Sequence, residues 1–279
     1  MGRFHKLMTA LRGTMAEHSQ DRRHGASWRA WLLVFNQLAT ESKSVRDLIE
    51  ISHCGTKTRR QRSVAVWVLG ELRARTAAEP LLGLLQGRDP EISWHAANAL
   101  CSIGDVRVVP KLLRTASASP YVHAREGAVW ALHKIKAPEA VPTLIKAASQ
   151  DKTPAVRQSA THSLISYPSK RTFEALRSAL DDPSASVRFG AIFAISCLAN
   201  KKGVELAIPE LKKLLQDTTV VPNSGRISEE ARDAIDAIQR HVAARQEAKT
   251  GARPRFRRTA GSNPVIRRSA TRNPVTDGT

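Results

Sequence analysis

The apolar residues of this chain recur at a spacing that places them on one face of a helix. A small residue, termed the anchor below, is followed after four residues by an aliphatic residue and after seven by another apolar one, as in Ala65, Leu69 and Leu72. Residues spaced in this way share one side of an α-helix, so the triplet predicts an amphipathic helix. Further anchors follow at intervals of 31, 32, 32, 31 and 40 residues: Ala96, Ala128, Ala160, Ala191 and Ala231.

A second pattern lies about half a period after the anchors. Proline stands two residues before a leucine in most units, and Glu174 takes its place in one. Because proline is tolerated near a helix start, these sites predict the first helix of each pair: Pro80, Pro110, Pro142 and Pro209. A capping residue followed by proline then predicts where the second helix begins: Asp89-Pro90, Ser119-Pro120, Thr153-Pro154 and Asp182-Pro183.

A near-constant period of this size is typical of an array of helix pairs, because one pair cannot bury its own apolar face and must stack on its neighbours. We therefore predict an all-α fold, a right-handed α-solenoid (superhelix) of about six helix pairs over residues 27–242. Trp31, Phe35 and Leu38 indicate an atypical capping unit at its beginning. Residues 1–26 show no convincing apolar stripe and are expected to be a mobile segment.

The second helices carry a recognisable motif. Val-Arg-x-x-Ala-x-x-x-Leu occurs as Val156, Arg157, Ala160 and Leu164, and in a variant form from Val187 to Ile195. This motif resembles the HEAT repeat family, and in particular its PBS-lyase HEAT-like class. The resemblance covers residues 44–241 and implies that the second helices line a concave surface. It concerns the fold, since such repeats occur in scaffolds, in regulators and in a few enzymes.

The side of the second helices opposite the anchors is unexpectedly aromatic. Positions two before and two after the anchor lie 160° and 200° from it, so they point away from the core and should be polar. They include instead Trp67, Trp94, Trp130, His162, Phe189 and Phe193, termed the inner row below. We predict that the inner row lines a groove for a protein partner. The alternative is that the N-terminal segment, self-association or tight winding already covers it.

Arginines recur at the start of the second helices, at Arg62, Arg125, Arg157 and Arg188. They could form a ladder that binds phosphate or carboxylate groups. We expect them to make ion pairs and caps between repeats, with carboxylates from the preceding loops: Asp151, Asp181 and Asp182.

The net charge of +19 favours polyanionic partners, and part of it lies in a short C-terminal stretch, residues 243–279. This stretch has too few apolar residues to fold, so we expect a basic disordered tail. Its arginines are Arg253, Arg255, Arg257, Arg258, Arg267, Arg268 and Arg272. Residues 257–266 and 267–276 form a tandem in which each copy begins Arg-Arg and contains Asn-Pro-Val.

Several functions are disfavoured by what the sequence lacks. The three cysteines are scattered and form no Cys-x-x-Cys, so we expect a reducing compartment, no metal site and no cofactor. No apolar run is long enough for a membrane span or a secretion signal, which predicts a cytoplasmic protein. No His-Glu dipeptide occurs, which argues against the HEAT-like enzyme deoxyhypusine hydroxylase.

We therefore expect a non-catalytic binding scaffold or adaptor. The alternatives are a nucleic-acid-binding protein that uses tail and groove, including a HEAT-like DNA repair role, and phycobilin-lyase-like handling of a chromophore.

Overall fold

The computed structural model describes residues 3–18 and 25–250, and helices make up most of them. The predicted all-α solenoid is confirmed. The α-helices are α1 Arg3–His18, α2 Gly25–Glu41, α3 Val45–His53, α4 Arg59–Glu71, α5 Ala78–Leu85, α6 Pro90–Ile103, α7 Val109–Ala118, α8 Val122–Ile135, α9 Val141–Gln150, α10 Pro154–Ser163, α11 Lys170–Ala179, α12 Ala185–Cys197, α13 Ile208–Lys213 and α14 Ile227–Thr250. Short 3-10 turns span Arg75–Ala77, Val106–Val108, Pro138–Ala140, Leu164–Ser166, Val204–Ala207 and Leu214–Gln216.

The pairs from α3–α4 to α13–α14 stack side by side. Each second helix packs along the next one, from α4 on α6 to α12 on α14, whereas the first helices touch one another more sparsely. The array therefore curves with the second helices on its inner side, and the face opposite their anchors is termed the inner face below. The α1–α2 pair precedes this array, and α2 packs on α4.

The core lies where the periodic pattern placed it. All six anchor alanines have no exposed surface, and the aliphatic residue four positions later is buried in each second helix. Small residues are needed because the second helices approach closely. A Cβ added to Gly70 in α4 would lie only 2.7 Å from the Cα of Ala99 in α6.

Helix starts agree with the sequence in part. Asp89 caps α6 by accepting from the amides of Glu91 and Ile92. Ser119-Pro120 and Asp182-Pro183 were wrong as helix starts, because α8 begins at Val122 and α12 at Ala185. The Asp182 carboxylate instead binds the amide of Ser184 and an arginine of the preceding repeat.

The N-terminal segment needs a correction. Residues 3–18 form helix α1, which packs on α2. Its apolar stripe consists of Phe4, Met8, Leu11 and Met15, and both methionines are buried. This stripe was not predicted, although its spacing of four, three and four residues is helical.

The interval of 40 residues before the last anchor contains an insertion. Here β1 (Val220–Val221) pairs antiparallel with β2 (Gly225–Arg226), and the pair forms a short hairpin. Beyond it, α14 continues to Thr250, so the boundary predicted at residue 243 is wrong. Arg245 lies within α14 and donates to Glu205 at 3.3 Å. The arginines of the predicted tail, from Arg253 to Arg272, lie outside the described residues.

Candidate functional site

Four rings from three successive second helices form a continuous strip on the inner face. Trp130 lies 5.4 Å from His133 and 6.3 Å from His162, and the two imidazoles are 5.5 Å apart. Phe193 stacks on His162 at 5.7 Å with an interplanar angle of 12°. These distances are typical of favourable ring pairs. Trp130, His133, His162 and Phe193, termed the ring strip below, are all half-buried and keep part of their surface open.

Neighbouring side chains hold Trp130 in place. Its Nε1 donates to Oδ1 of Asn98 at 3.3 Å, and the Asn98 amide nitrogen donates to the backbone oxygen of Trp94 at 3.1 Å. The Lys134 ammonium lies 4.5 Å from the centre of the Trp130 ring, a cation–π contact. The indole is therefore fixed before any partner arrives, which reduces the entropy lost on binding.

The aromatics at the two ends of the inner row, Trp67 and Phe189, are half-buried like the ring strip but also contact other elements. Trp67 packs against the core and makes an edge contact with Trp31 of α2 at 6.2 Å. Phe189 also packs against the core, and a Cβ added to Gly225 of the hairpin would lie 3.9 Å from its ring. The capping unit and the hairpin insertion thus each contact one aromatic, and Trp94 and the ring strip lie between them.

His95 and His133 were not among the predicted site residues. His133 lies five residues after its anchor, 140° around the helix, and so outside the two positions that define the inner row. Burial lowers the pKa of both histidines to about 4. Burial likewise lowers the pKa of His162. The ring strip is therefore uncharged at neutral pH and presents aromatic surface.

Cys101 lies beside this strip, and burial raises the pKa of its thiol to about 12. The thiol is consequently protonated, and its closest polar partner is the backbone oxygen of Trp130 at 3.9 Å. A protonated thiol is a poor nucleophile. Within residues 3–18 and 25–250, no group of three or more His, Cys, Asp or Glu side chains could hold a metal ion.

The recurring arginines connect adjacent repeats. Arg157 donates from Nε and Nη2 to both carboxylate oxygens of Asp182, at 2.8 and 2.9 Å, and from Nη1 to the backbone oxygen of Asp151 at 2.9 Å. Burial is the largest single effect and raises the pKa of the Asp182 carboxyl, but the hydrogen bonds from Arg157 and the Ser184 amide, together with the charges of Arg157 and Arg188, lower that pKa overall. Arg125 binds both carboxylate oxygens of Asp151 in the same way, whereas Arg188 donates from Nε and Nη2 to Oδ2 of Asp217 alone.

The ion pairs expected between repeats are thus present, with one correction. The carboxylate comes from the following repeat, while the preceding loop supplies a backbone oxygen. Arg62 differs, since its Nε donates to the backbone oxygen of Ser52 at 3.0 Å. Because the guanidinium donors of the paired arginines are used within the fold, these residues are not arranged as a phosphate ladder.

The inner face carries a small excess of carboxylates although the chain is strongly basic. Within about 60° of the direction opposite the anchor lie the positions six, five and two before it and two, five and six after it, and on the longer helix α14 also those nine, twelve, thirteen and sixteen after it. Across the second helices, with Arg226 directly before α14, these positions carry seven carboxylates and five cations. The carboxylates are Glu71, Glu91, Glu126, Glu229, Asp233, Asp236 and Glu247, and the cations are Arg59, Arg60, Lys134, Arg226 and Arg240. Glu126 accepts from Ser159 of the next second helix at 3.0 Å, which places it on this face.

No helix among the described residues is long and apolar enough to cross a membrane. The repeats match a known family, because a family model described as HEAT repeats matches residues 55–132 and 114–196. A search of the curated proteins gives no match.

Similar solved structures include other helical repeat proteins. The complex of CpcE and CpcF of phycocyanin lyase from Nostoc sp. PCC7120 is 24% identical with a TM-score of 0.49, over 57% of this chain and 98% of that chain. A designed armadillo repeat protein in complex with the peptide (KR)4 is 17% identical with a TM-score of 0.48, over 70% of this chain and 100% of that chain.

Proposed function

This chain belongs to the HEAT repeat family, and we propose that it is a non-catalytic scaffold that binds a protein partner through the ring strip on its inner face. The observation that carries this proposal is the contact of Trp130, His162 and Phe193 across α8, α10 and α12, with part of each ring left open. Aromatic side chains held in this way are typical anchors of protein interfaces.

The energetics favour a few anchoring contacts. Covering a further ~40 Å² on each ring would contribute about 1 kcal/mol per ring at ~25 cal/mol per Å². Because Asn98 and Lys134 already fix Trp130, little ordering cost offsets this gain. Trp94, one helix earlier, extends the same surface, so the site suits an apolar segment of a partner lying across several repeats.

The charge of the inner face supports a protein partner over nucleic acid at this site. Nucleic-acid binding relies on cations that neutralise phosphates. Here carboxylates outnumber cations, and Glu126 lies near the ring strip. A contribution of the basic C-terminal stretch to polyanion binding is a separate proposal, which removal of that stretch would test.

Binding should depend on the rings and folding should not. The full-length protein, its Trp130→Ala variant and its Phe193→Ala variant would be used to capture proteins from the native cell. The captured partner would then be purified and titrated calorimetrically against each form. We expect each substitution to weaken binding by more than about 1 kcal/mol, roughly fivefold, while the melting temperature changes little.

Tyr121→Ala provides a matched control. Tyr121 is also a half-buried aromatic that stacks on a histidine, His123, but it precedes α8 at the turn edge and lies outside the inner row. Its removal should leave partner affinity unchanged. Equal loss of affinity in all three variants, or unfolding of Trp130→Ala and Phe193→Ala, would show that the rings serve packing and that the proposal is wrong.

A further inference from the structure

The C-terminal end of the inner face is its most acidic part. On α14, Glu229, Asp233 and Asp236 occupy positions on the inner face, and all three are exposed. Glu230 is adjacent, and burial together with Asp233 raises the pKa of its carboxyl. Arg226 offsets one of these charges by pairing with Glu229 at 3.3 Å. Asp233 and Asp236 form no ion pair among the described residues, and the Nε of Arg240 donates to the backbone oxygen of Asp236 at 3.3 Å. Helix α14 packs on α12, which carries Phe193 of the ring strip.

The chain itself carries a segment of complementary charge and suitable length. Residues 251–279 contain seven arginines and a single acidic residue, Asp277. The segment follows directly from α14, which ends at Thr250. Because an extended chain spans at most ~3.4 Å per residue, Arg257 can reach about 24 Å from Thr250. Asp236 lies 14 residues earlier in the same helix, about 21 Å away at 1.5 Å per residue.

The period of the tandem fits the spacing of the helices. Its Arg-Arg pairs begin at Arg257 and Arg267, ten residues apart, which corresponds to at most ~34 Å in an extended chain. From α14 to α8 there are three steps between packed helices, about 24–30 Å at 8–10 Å each. One arginine pair can therefore lie at the carboxylates of α14 while the other reaches Glu126 on α8. Val265 and Ile266, directly before Arg267, would then lie at the α8 end of the ring strip, next to Trp130.

We propose that residues 257–268 of this chain bind along its own inner face, with the Arg-Arg pairs at the carboxylates and the apolar residues between them on the ring strip. Arginine suits both surfaces, because its guanidinium binds carboxylates bidentately and stacks on aromatic rings. The bound segment would compete with a partner for the strip. This competition rests on the proposed function, whereas the docking itself does not.

The docking is tested in the full-length chain without any partner. Ile266 would be replaced by the photoreactive residue p-benzoylphenylalanine, and the crosslinks formed at low salt would be mapped by mass spectrometry. We expect crosslinks within one molecule to α8 and α10, around Trp130 and His162, because Ile266 directly precedes the Arg267 that is placed at Glu126. Neutralising α14 by Glu229→Gln, Asp233→Asn and Asp236→Asn should lower their yield roughly tenfold, as expected from the loss of up to three exposed ion pairs.

A charge-matched control separates this site from a general field. Glu139→Gln, Glu174→Gln and Asp181→Asn remove the same charge from exposed positions outside the second helices and should leave the crosslinks unchanged. Crosslinks elsewhere, crosslinks only between molecules, or equal loss in both triple variants would overturn the proposal. The proposal would also be wrong if the segment were bound only when DNA is added, because its ligand would then be nucleic acid. Loss of partner binding in Trp130→Ala with the crosslinks to the ring strip retained would support both proposals, because the two assays report them separately.

Discussion

The close approach of α4 and α6 makes Gly70→Ala an informative perturbation. An alanine Cβ at residue 70 would lie 2.7 Å from the Cα and 3.0 Å from the Cβ of Ala99. Both atoms belong to or adjoin the backbone, so no flexible side chain can move aside and the two helices must separate. Overpacking of this kind costs about 1–3 kcal/mol, and the higher helix propensity of alanine offsets it by at most ~1 kcal/mol. We expect a net loss of about 1–2 kcal/mol.

Gly83→Ala is the matched control. Gly83 lies on the exposed side of α5, and a Cβ there would meet no atom within 4 Å. Only the higher helix propensity of alanine then affects stability, so Gly83→Ala should be more stable by about 0.5–1 kcal/mol. Urea unfolding followed by circular dichroism would compare the midpoints and slopes of the three proteins. If Gly70→Ala is stabilised as much as Gly83→Ala, the second helices do not pack as closely as described, and the reasoning from the anchors fails.

Two further predictions concern charge. Asp182→Asn leaves the Arg157 guanidinium without its buried carboxylate and should lower the free energy of unfolding by about 3 kcal/mol. Glu50→Gln breaks an exposed ion pair on α3 and should change the free energy of unfolding by less than ~0.5 kcal/mol in the same denaturation assay. Because the pKa of His95 and His133 is about 4 in the folded protein and near 6.5 when unfolded, the unfolded chain binds more protons between these values. The melting temperature should therefore fall as the pH drops from about 6.5 to about 4. If the dependence of the melting temperature on pH is the same in His133→Asn, that residue does not contribute to it.

The sequence by itself determined the repeats and the core. The anchors, the aliphatic residues that follow them and the proline-marked first helices are local patterns, and helix geometry alone converts their spacing into a buried face. The stripe of α1 was equally available, since Phe4, Met8, Leu11 and Met15 follow the same spacing. The inner row was also found in this way, because its direction depends only on the angle from each anchor.

Only the tertiary structure decided what lies against each of these faces. The partner of Arg157 is a carboxylate 25 residues later, and stacking of successive repeats brings it there. Likewise, the contacts of Trp67 with α2 and of Phe189 with the hairpin depend on elements that lie far from them in sequence. The joining of Trp130, His162 and Phe193 into one strip requires the spacing between helices of different repeats. Periodicity gives the direction of a side chain from its own helix, but the contacts across helices follow from how the repeats stack.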